Sequence, residues 1–174
     1  MASGASVALD GSGSSDPDTG QTLTYAWTQT GGTVVTLSDV NADKPGFTAP
    51  TRVAGSGPET LTFQLSFGDG IATDTDTVEI TVNAPANTAP TAEAGPAQTV
   101  NSGAAVTLDG TGSTDPDTGQ TLSYTWSQTG GTVVTLSDVN ADKPGFTAPT
   151  RVAGSGPETL TFQLSFGDGI ATDT

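Results

Sequence analysis

Leu160-Thr-Phe-Gln-Leu-Ser-Phe166 alternates apolar and polar residues without a break, and the same seven residues stand at Leu61 to Phe67. A period of two puts Leu160, Phe162, Leu164 and Phe166 on one face and Thr161, Gln163 and Ser165 on the other, as in a strand with one buried face. Working outward, Leu122, Tyr124 and Trp126 share a face of a second strand. Gly130-Gly131 predicts a hairpin turn into a further strand over Val133 to Leu136. Val106 and Leu108 mark another, and Phe146 sits in a short one between Pro144 and Pro149. Val78, Ile80 and Val82 form the inward face of a last strand, and a first strand is expected from near Ala92 through Gln98 to Val100. No segment has the 3.6-residue period of a helix.

The doubled strand belongs to a longer repetition. Residues 3–75 align with 102–174 without a gap, at a period of 99, and only seven pairs differ: 6/105, 8/107, 12/111, 15/114, 24/123, 26/125 and 28/127. All seven exchanges are among Ala, Ser and Thr, so no apolar core candidate changes. Short strands recurring in a unit of this length predict an all-β sandwich in two tandem, near-identical repeats. Their expected bounds are 1–85 and 86–174. The first lacks strand A of the immunoglobulin lettering and the second lacks strand G. Two full periods would exceed the 174-residue chain by 24 residues, which makes an excerpt of a longer array the economical expectation. Asn83-Ala-Pro-Ala-Asn-Thr-Ala-Pro90 should be a short, stiff connector, because its two prolines favour extended backbone.

Composition removes whole classes of function. Nineteen acidic residues face four basic ones, a net charge of −15, so neither a phosphate backbone nor an anionic membrane surface is an expected partner. With no Cys and no His, thiolate chemistry, a Ser-His-Asp triad and the common zinc sites are unavailable. No apolar run reaches the roughly 20 residues of a membrane helix, so no direct membrane insertion is expected, and Met1-Ala-Ser-Gly4 does not read as a signal peptide. The chain is therefore expected not to be an enzyme.

Asn87-Thr-Ala-Pro-Thr-Ala-Glu-Ala-Gly-Pro96, then Val106-Thr-Leu-Asp-Gly-Thr-Gly-Ser-Thr-Asp-Pro-Asp117, Tyr124-Thr-Trp126 and Leu160-Thr-Phe-Gln-Leu-Ser-Phe-Gly-Asp-Gly169 together resemble bacterial PKD-like (polycystic kidney disease) domains. The resemblance implies an immunoglobulin-like sandwich, usually in tandem on secreted or cell-surface proteins. Such domains serve as spacers, stalks or adhesion modules, and some bind calcium.

The acidic turns are the candidate site. Asp115-Pro-Asp117 and Gly167-Asp168-Gly169 lie in two loops that a sandwich brings to one end, where the connector carrying Asn87 should also arrive. Carboxylate, amide and backbone oxygens on glycine-rich turns suit calcium, a hard cation taking 6–8 oxygens. The family resemblance points to the same segments. Asn87, Asp115, Asp117 and Asp168 are the candidate ligands of repeat two. Asp16, Asp18 and Asp69 are those of repeat one, which offers no equivalent Asn. The spacing is not that of an EF-hand, since Trp27 holds its twelfth position. The same residues are also turn formers, and both readings stand at this point.

Other features read as structural. Trp27, Trp126, Tyr25 and Tyr124 belong to a sandwich core rather than to a sugar platform. Thr73, Thr75, Thr77 and Thr81 are the solvent face of one strand rather than an ice-binding array. Lys44 and Lys143 are expected at the surface or in ion pairs. The expected function is a structural spacer, stalk or fibre-forming repeat outside the cell, calcium-stiffened, its partners being neighbouring repeats and other copies of the protein. The alternatives are an adhesin-type module for glycan or protein, tested first at Gln29 to Thr33 and Arg52 to Gly57, or an accessory domain of a secreted hydrolase.

Overall fold

A computed structural model describes all residues, 1–174. The chain has no helix and forms two compact units, Met1–Ala86 and Asn87–Thr174. Unit one contains β1 (Ser6–Ala8), β2 (Thr24–Gly31), β3 (Gly46–Thr48), β4 (Glu59–Gly68) and β5 (Thr73–Val82). β1 pairs with β3, while β2, β4 and β5 form an antiparallel sheet with β4 in the middle. Unit two repeats the plan with β6 (Ala105–Thr107) on β8 (Gly145–Thr147), and β7 (Ser123–Gly130) beside β9 (Thr161–Gly167), followed by β10 (Thr172–Asp173). These are the sheets of an immunoglobulin-like sandwich.

The alternation that predicts β4 also fixes which face closes the core. Leu61, Phe63 and Leu65 point inward and are buried with Val7, Leu9, Trp27, Phe47, Ala49 and Val82. Phe47 of one sheet meets Phe63 of the other at 5.0 Å between ring centroids, a tilted contact across the sandwich. Trp27 keeps its indole N–H satisfied by donating to the Ala42 carbonyl at 3.1 Å, and Trp126 does the same with Ala141. Both tryptophans are core residues, as their place in the alternation predicts.

Three expectations about strands are corrected. No strand runs from Ala92 to Val100; the backbone pairing nearest to it is a single bridge, Thr91 opposite Thr114. Leu122 lies just before β7 and is half-exposed rather than part of its inward face. The third is the hairpin. Residues 133–136 form no strand, because Gln128 supplies from its side chain what a partner strand would supply. Its Nε2 donates to the carbonyls of Gly130 and Thr132, at 3.0 and 2.8 Å, and its Oε1 accepts the Val134 N–H at 2.9 Å. Gln29 makes the same three bonds in unit one. The double glycine is a bulge followed by a left-handed residue: the ladder slips between Gln29 and Gly31, and Gly32 has φ 81°. A Cβ at Gly32 would lie 2.6 Å from both the Thr60 carbonyl oxygen and a Leu61 methyl, so only glycine fits.

The units differ most at the last strand. β5 covers the whole edge of β4, from Glu59 opposite Val82 to Gly68 opposite Thr73. β10 covers only Gly167 and Phe166 of β9. Unit one accordingly has nine buried residues in its apolar core and unit two has three; Val82 has no counterpart in unit two, while the other eight do and are the same residues there. Phe63 and Leu61 are fully buried, while their counterparts Phe162 and Leu160 are half-buried.

Candidate functional site

In unit two the acidic loops and the incoming chain meet, as expected from the sandwich. Asp168, only 4% exposed, stands at the turn after β9. Its Oδ1 accepts the N–H groups of Ile170 and Ala171 at 2.7 and 2.6 Å, the side-chain turn that Asp forms readily. Its Oδ2 accepts the Asn87 amide at 2.8 Å. The Asn87 carbonyl oxygen accepts in turn from Gln120 Nε2. One residue on, the Thr88 N–H donates to Asp117 Oδ2 at 2.6 Å, and the Asp117 N–H donates to Asp115 Oδ1 at 2.7 Å. Further along, Ala92 N–H donates to Asp173, and Glu93 N–H to the buried Ser113 hydroxyl. Residues 87–93 are thus fastened to both loops by side-chain acceptors and one backbone bridge, Thr91 with Thr114, rather than by a strand ladder.

The electrostatics follow from the donors. The Ala171 N–H, then the Asn87 amide and the Ile170 N–H, hold the Asp168 carboxyl below its ordinary range, against the opposing effect of burial. Asp69, its counterpart in unit one, is lowered by the N–H groups of Ala72 and Ile71 and by its own, with no side chain contributing. There, Asp16 accepts only the Asp18 N–H, and nothing joins Asp16 or Asp18 to Asp69. Of the seven candidate ligands, therefore, Asn87, Asp115, Asp117 and Asp168 form one connected set, while Asp16, Asp18 and Asp69 remain separate turns.

The donor set is of the hard-oxygen type that calcium takes. As arranged, however, no three acidic side chains face one point at which an ion could sit. Most of the oxygens are already engaged by N–H groups. Asp115 Oδ2 is buried with no hydrogen-bond partner.

A second cluster joins the two loops proposed for ligand binding. Glu59 Oε1 accepts from the Thr33 N–H and hydroxyl, at 2.9 and 2.6 Å, while its Oε2 pairs with Arg52 at 3.0 Å. Arg52 also donates to the Gly57 carbonyl at 3.3 Å. Glu158, Thr132, Arg151 and Gly156 repeat this in unit two. Lys44 and Lys143 form ion pairs with Asp10 and Asp109, at 2.9 and 3.1 Å. Sequence reasoning did not single out Gln120 or Glu59, and it named Gln29 only as part of a candidate binding loop, since a polar residue's partner lies in another loop. Gln29 stood beside the glycines whose backbone it holds, which is the one local signal available.

Two sandwiches of this topology, each with acidic turns at one end, define a class of immunoglobulin-like repeat modules. The model of the K319L-like PKD domain matches residues 2–82 and again residues 94–174, so the chain belongs to that family. The first match runs to the end of β5, whereas the second begins ahead of β6 and ends just after β10. Domains of this family are generally non-catalytic structural modules of extracellular proteins. No curated protein matches the chain. Among solved structures, it is similar to the endo-fucoidan hydrolase MfFcnA4 from glycoside hydrolase family 107, at 19% identity and a TM-score of 0.35, over 99% of this chain and 26% of that one. A substituted form of the same enzyme matches at 21% identity and a TM-score of 0.30, over 86% of this chain and 22% of that one. The chain therefore spans about a quarter of those solved chains or less.

Proposed function

We propose that the chain is a non-catalytic spacer of a secreted or cell-surface protein, in which each repeat is joined firmly to the chain that enters and leaves it. The observation that carries this reading is the anchoring of the connector. Pro85 accepts the Gly55 N–H of its own unit at 2.9 Å, and Asn87 is held by Asp168 and Gln120 of the other. A connector tied down at its ends suits load transmission rather than free articulation. The net charge of −15 supports the same reading by opposing side-by-side collapse. Amide hydrogen exchange tests it: the Thr88 and Ala92 N–H groups should be protected in the wild type and lose that protection in Asn87→Ala. Equally fast exchange of these amides in both would sink the spacer reading. A glycan or protein bound at Gln29–Thr33 or Arg52–Gly57, and lost on substitution there, would support an adhesin instead.

The unpartnered Asp115 Oδ2 favours calcium as a further stiffening element. A thermal melt in EDTA and in millimolar Ca²⁺ reads this directly. Saturation at 100 times Kd adds about 2.7 kcal/mol, and the shift should vanish in Asp115→Ala. No shift in the wild type would leave the cluster as hydrogen-bonded turns.

A further inference from the structure

We propose that the outer face of the sheet formed by β2, β4 and β5 is the surface on which a second copy of this chain stacks. The ladders set its residues in rows: Ala26, Ser66 and Thr75 form one, Thr28, Gln64 and Thr77 the next, and beyond them Thr62 stands opposite Glu79. Thr28, Thr75 and Thr77 are exposed, and the hydroxyls of these two rows have no hydrogen-bond partner within the chain. Tyr25, Trp27, Phe63 and Phe67 take the inward positions of the same strands, so the face carries no aromatic ring on which a sugar could stack.

Charge singles this face out. The chain carries −15, yet Glu79 is the one charged residue at an outward position of β2, β4 or β5; Asp74 and Asp76 alternate to the other side. β7 and β9 repeat the neutral face in unit two, with Thr125 opposite Ser165 and Ser127 opposite Gln163. Two polyanions repel wherever their carboxylates meet, so a second copy is the partner whose approach this pattern confines to one face. Stacked antiparallel about the middle row, each Glu79 falls over the row of Ala26, Ser66 and Thr75, and the two carboxylates stay apart. The repeats supply an independent argument. Three of the seven positions at which they differ, 24/123, 26/125 and 28/127, lie on this face, and only Ala, Ser and Thr are exchanged there. Smallness and neutrality persist while identity does not, which suits one sheet packing on another rather than a ligand read by particular side chains. Three strands about 4.8 Å apart and about 30 Å long present about 400 Å² on each copy. The pair therefore buries about 800 Å², the size of a weak, reversible contact.

The test uses the full chain. Sedimentation at concentrations up to about 1 mM should show a monomer–dimer equilibrium that tightens as salt rises from about 0.01 to 0.15 M, because screening removes like-charge repulsion. Thr28→Glu with Ser127→Glu, one added carboxylate on the face of each unit, should weaken the dimer at least about tenfold. Ser56→Glu with Ser155→Glu adds the same charge in exposed loops and should leave it nearly unchanged. Location is read separately. The chain has no Cys, so a spin label on Thr77→Cys should broaden amide signals of β2 and β4 in an isotope-labelled, unmodified copy. A monomer throughout overturns the proposal, as does a dimer that loosens with salt, or one that the Thr28 and Ser127 pair weakens no more than the loop pair does. Broadening confined to residues outside the sheet overturns it as well and assigns the contact to another surface.

Discussion

At the scale of single residues, polar side chains do much of the work that a strand ladder would do elsewhere. Gln29 closes three bonds around the turn after β2, and Gly32 lets the chain pass within contact of Thr60 and Leu61. Gly32→Ala should destabilise unit one by about 1–3 kcal/mol, the usual cost of a forced backbone conformation, read from the urea midpoint. Carboxylates set the pH response. Hydrogen bonds from Ser12 and Lys44 lower Asp10 from 3.8 to about 2, and those from Thr111 and Lys143 lower Asp109 equally. Glu59, Glu158, Asp69 and Asp168 shift the same way. The unfolded chain binds protons first as pH falls, so the contribution of these groups is complete above about pH 4 and fades between the ordinary carboxylate range and about pH 2. Urea midpoints measured down this range should fall, and fall less steeply in the double variant Asp10→Asn, Asp109→Asn. A flat wild-type profile would contradict the assignment.

At the scale of elements, the comparison of β5 with β10 separates sequence from context. Phe63 and Phe162 occupy equivalent positions in identical strand sequences, yet Phe63 is fully buried and Phe162 is half-buried. Phe63→Ala should cost about 3–5 kcal/mol, as for a buried aromatic, and Phe162→Ala distinctly less. Equal costs in denaturant unfolding would mean that β5 adds little to the core. The strand calls that rest on alternation in β4, β5, β7 and β9 agree with the structure. Those for Ala92–Val100 and Val133–Leu136 do not, because a strand also needs a partner edge. The first of these segments makes side-chain contacts but no ladder beyond the neighbouring Thr91 bridge, and the second is held by a glutamine.

At the scale of the whole molecule, two repeats with nearly one sequence should unfold separately. Unit one closes nine core residues and unit two three, so calorimetry should resolve two transitions, with unit two melting first. Trp27 and Trp126 are the only tryptophans and fall one in each unit. Fluorescence melts of Trp27→Phe, which reports unit two, and Trp126→Phe, which reports unit one, assign the order. A single transition, common to both variants, would show the units to be thermodynamically coupled. The family membership fits this modular picture, since stacked repeats draw their stability from each unit and its neighbours.

The amino-acid sequence alone determined the repeat, the all-β class, the buried face of each long strand and the family. These are properties of local order: a period of two, a period of 99 and a run of quoted motifs survive in one dimension. It also gathered the acidic turns of unit two with Asn87, because a sandwich returns alternate loops to one end. Only the tertiary structure decided what the carboxylates touch. Asp168 meets Asn87 across 81 residues and Thr33 meets Glu59 across 26, and such partners are chosen by loop geometry that no spacing records. Burial within unit one is likewise a tertiary outcome, since β5 lies along the whole edge of β4 and closes Leu61, Phe63 and Val82 into one core.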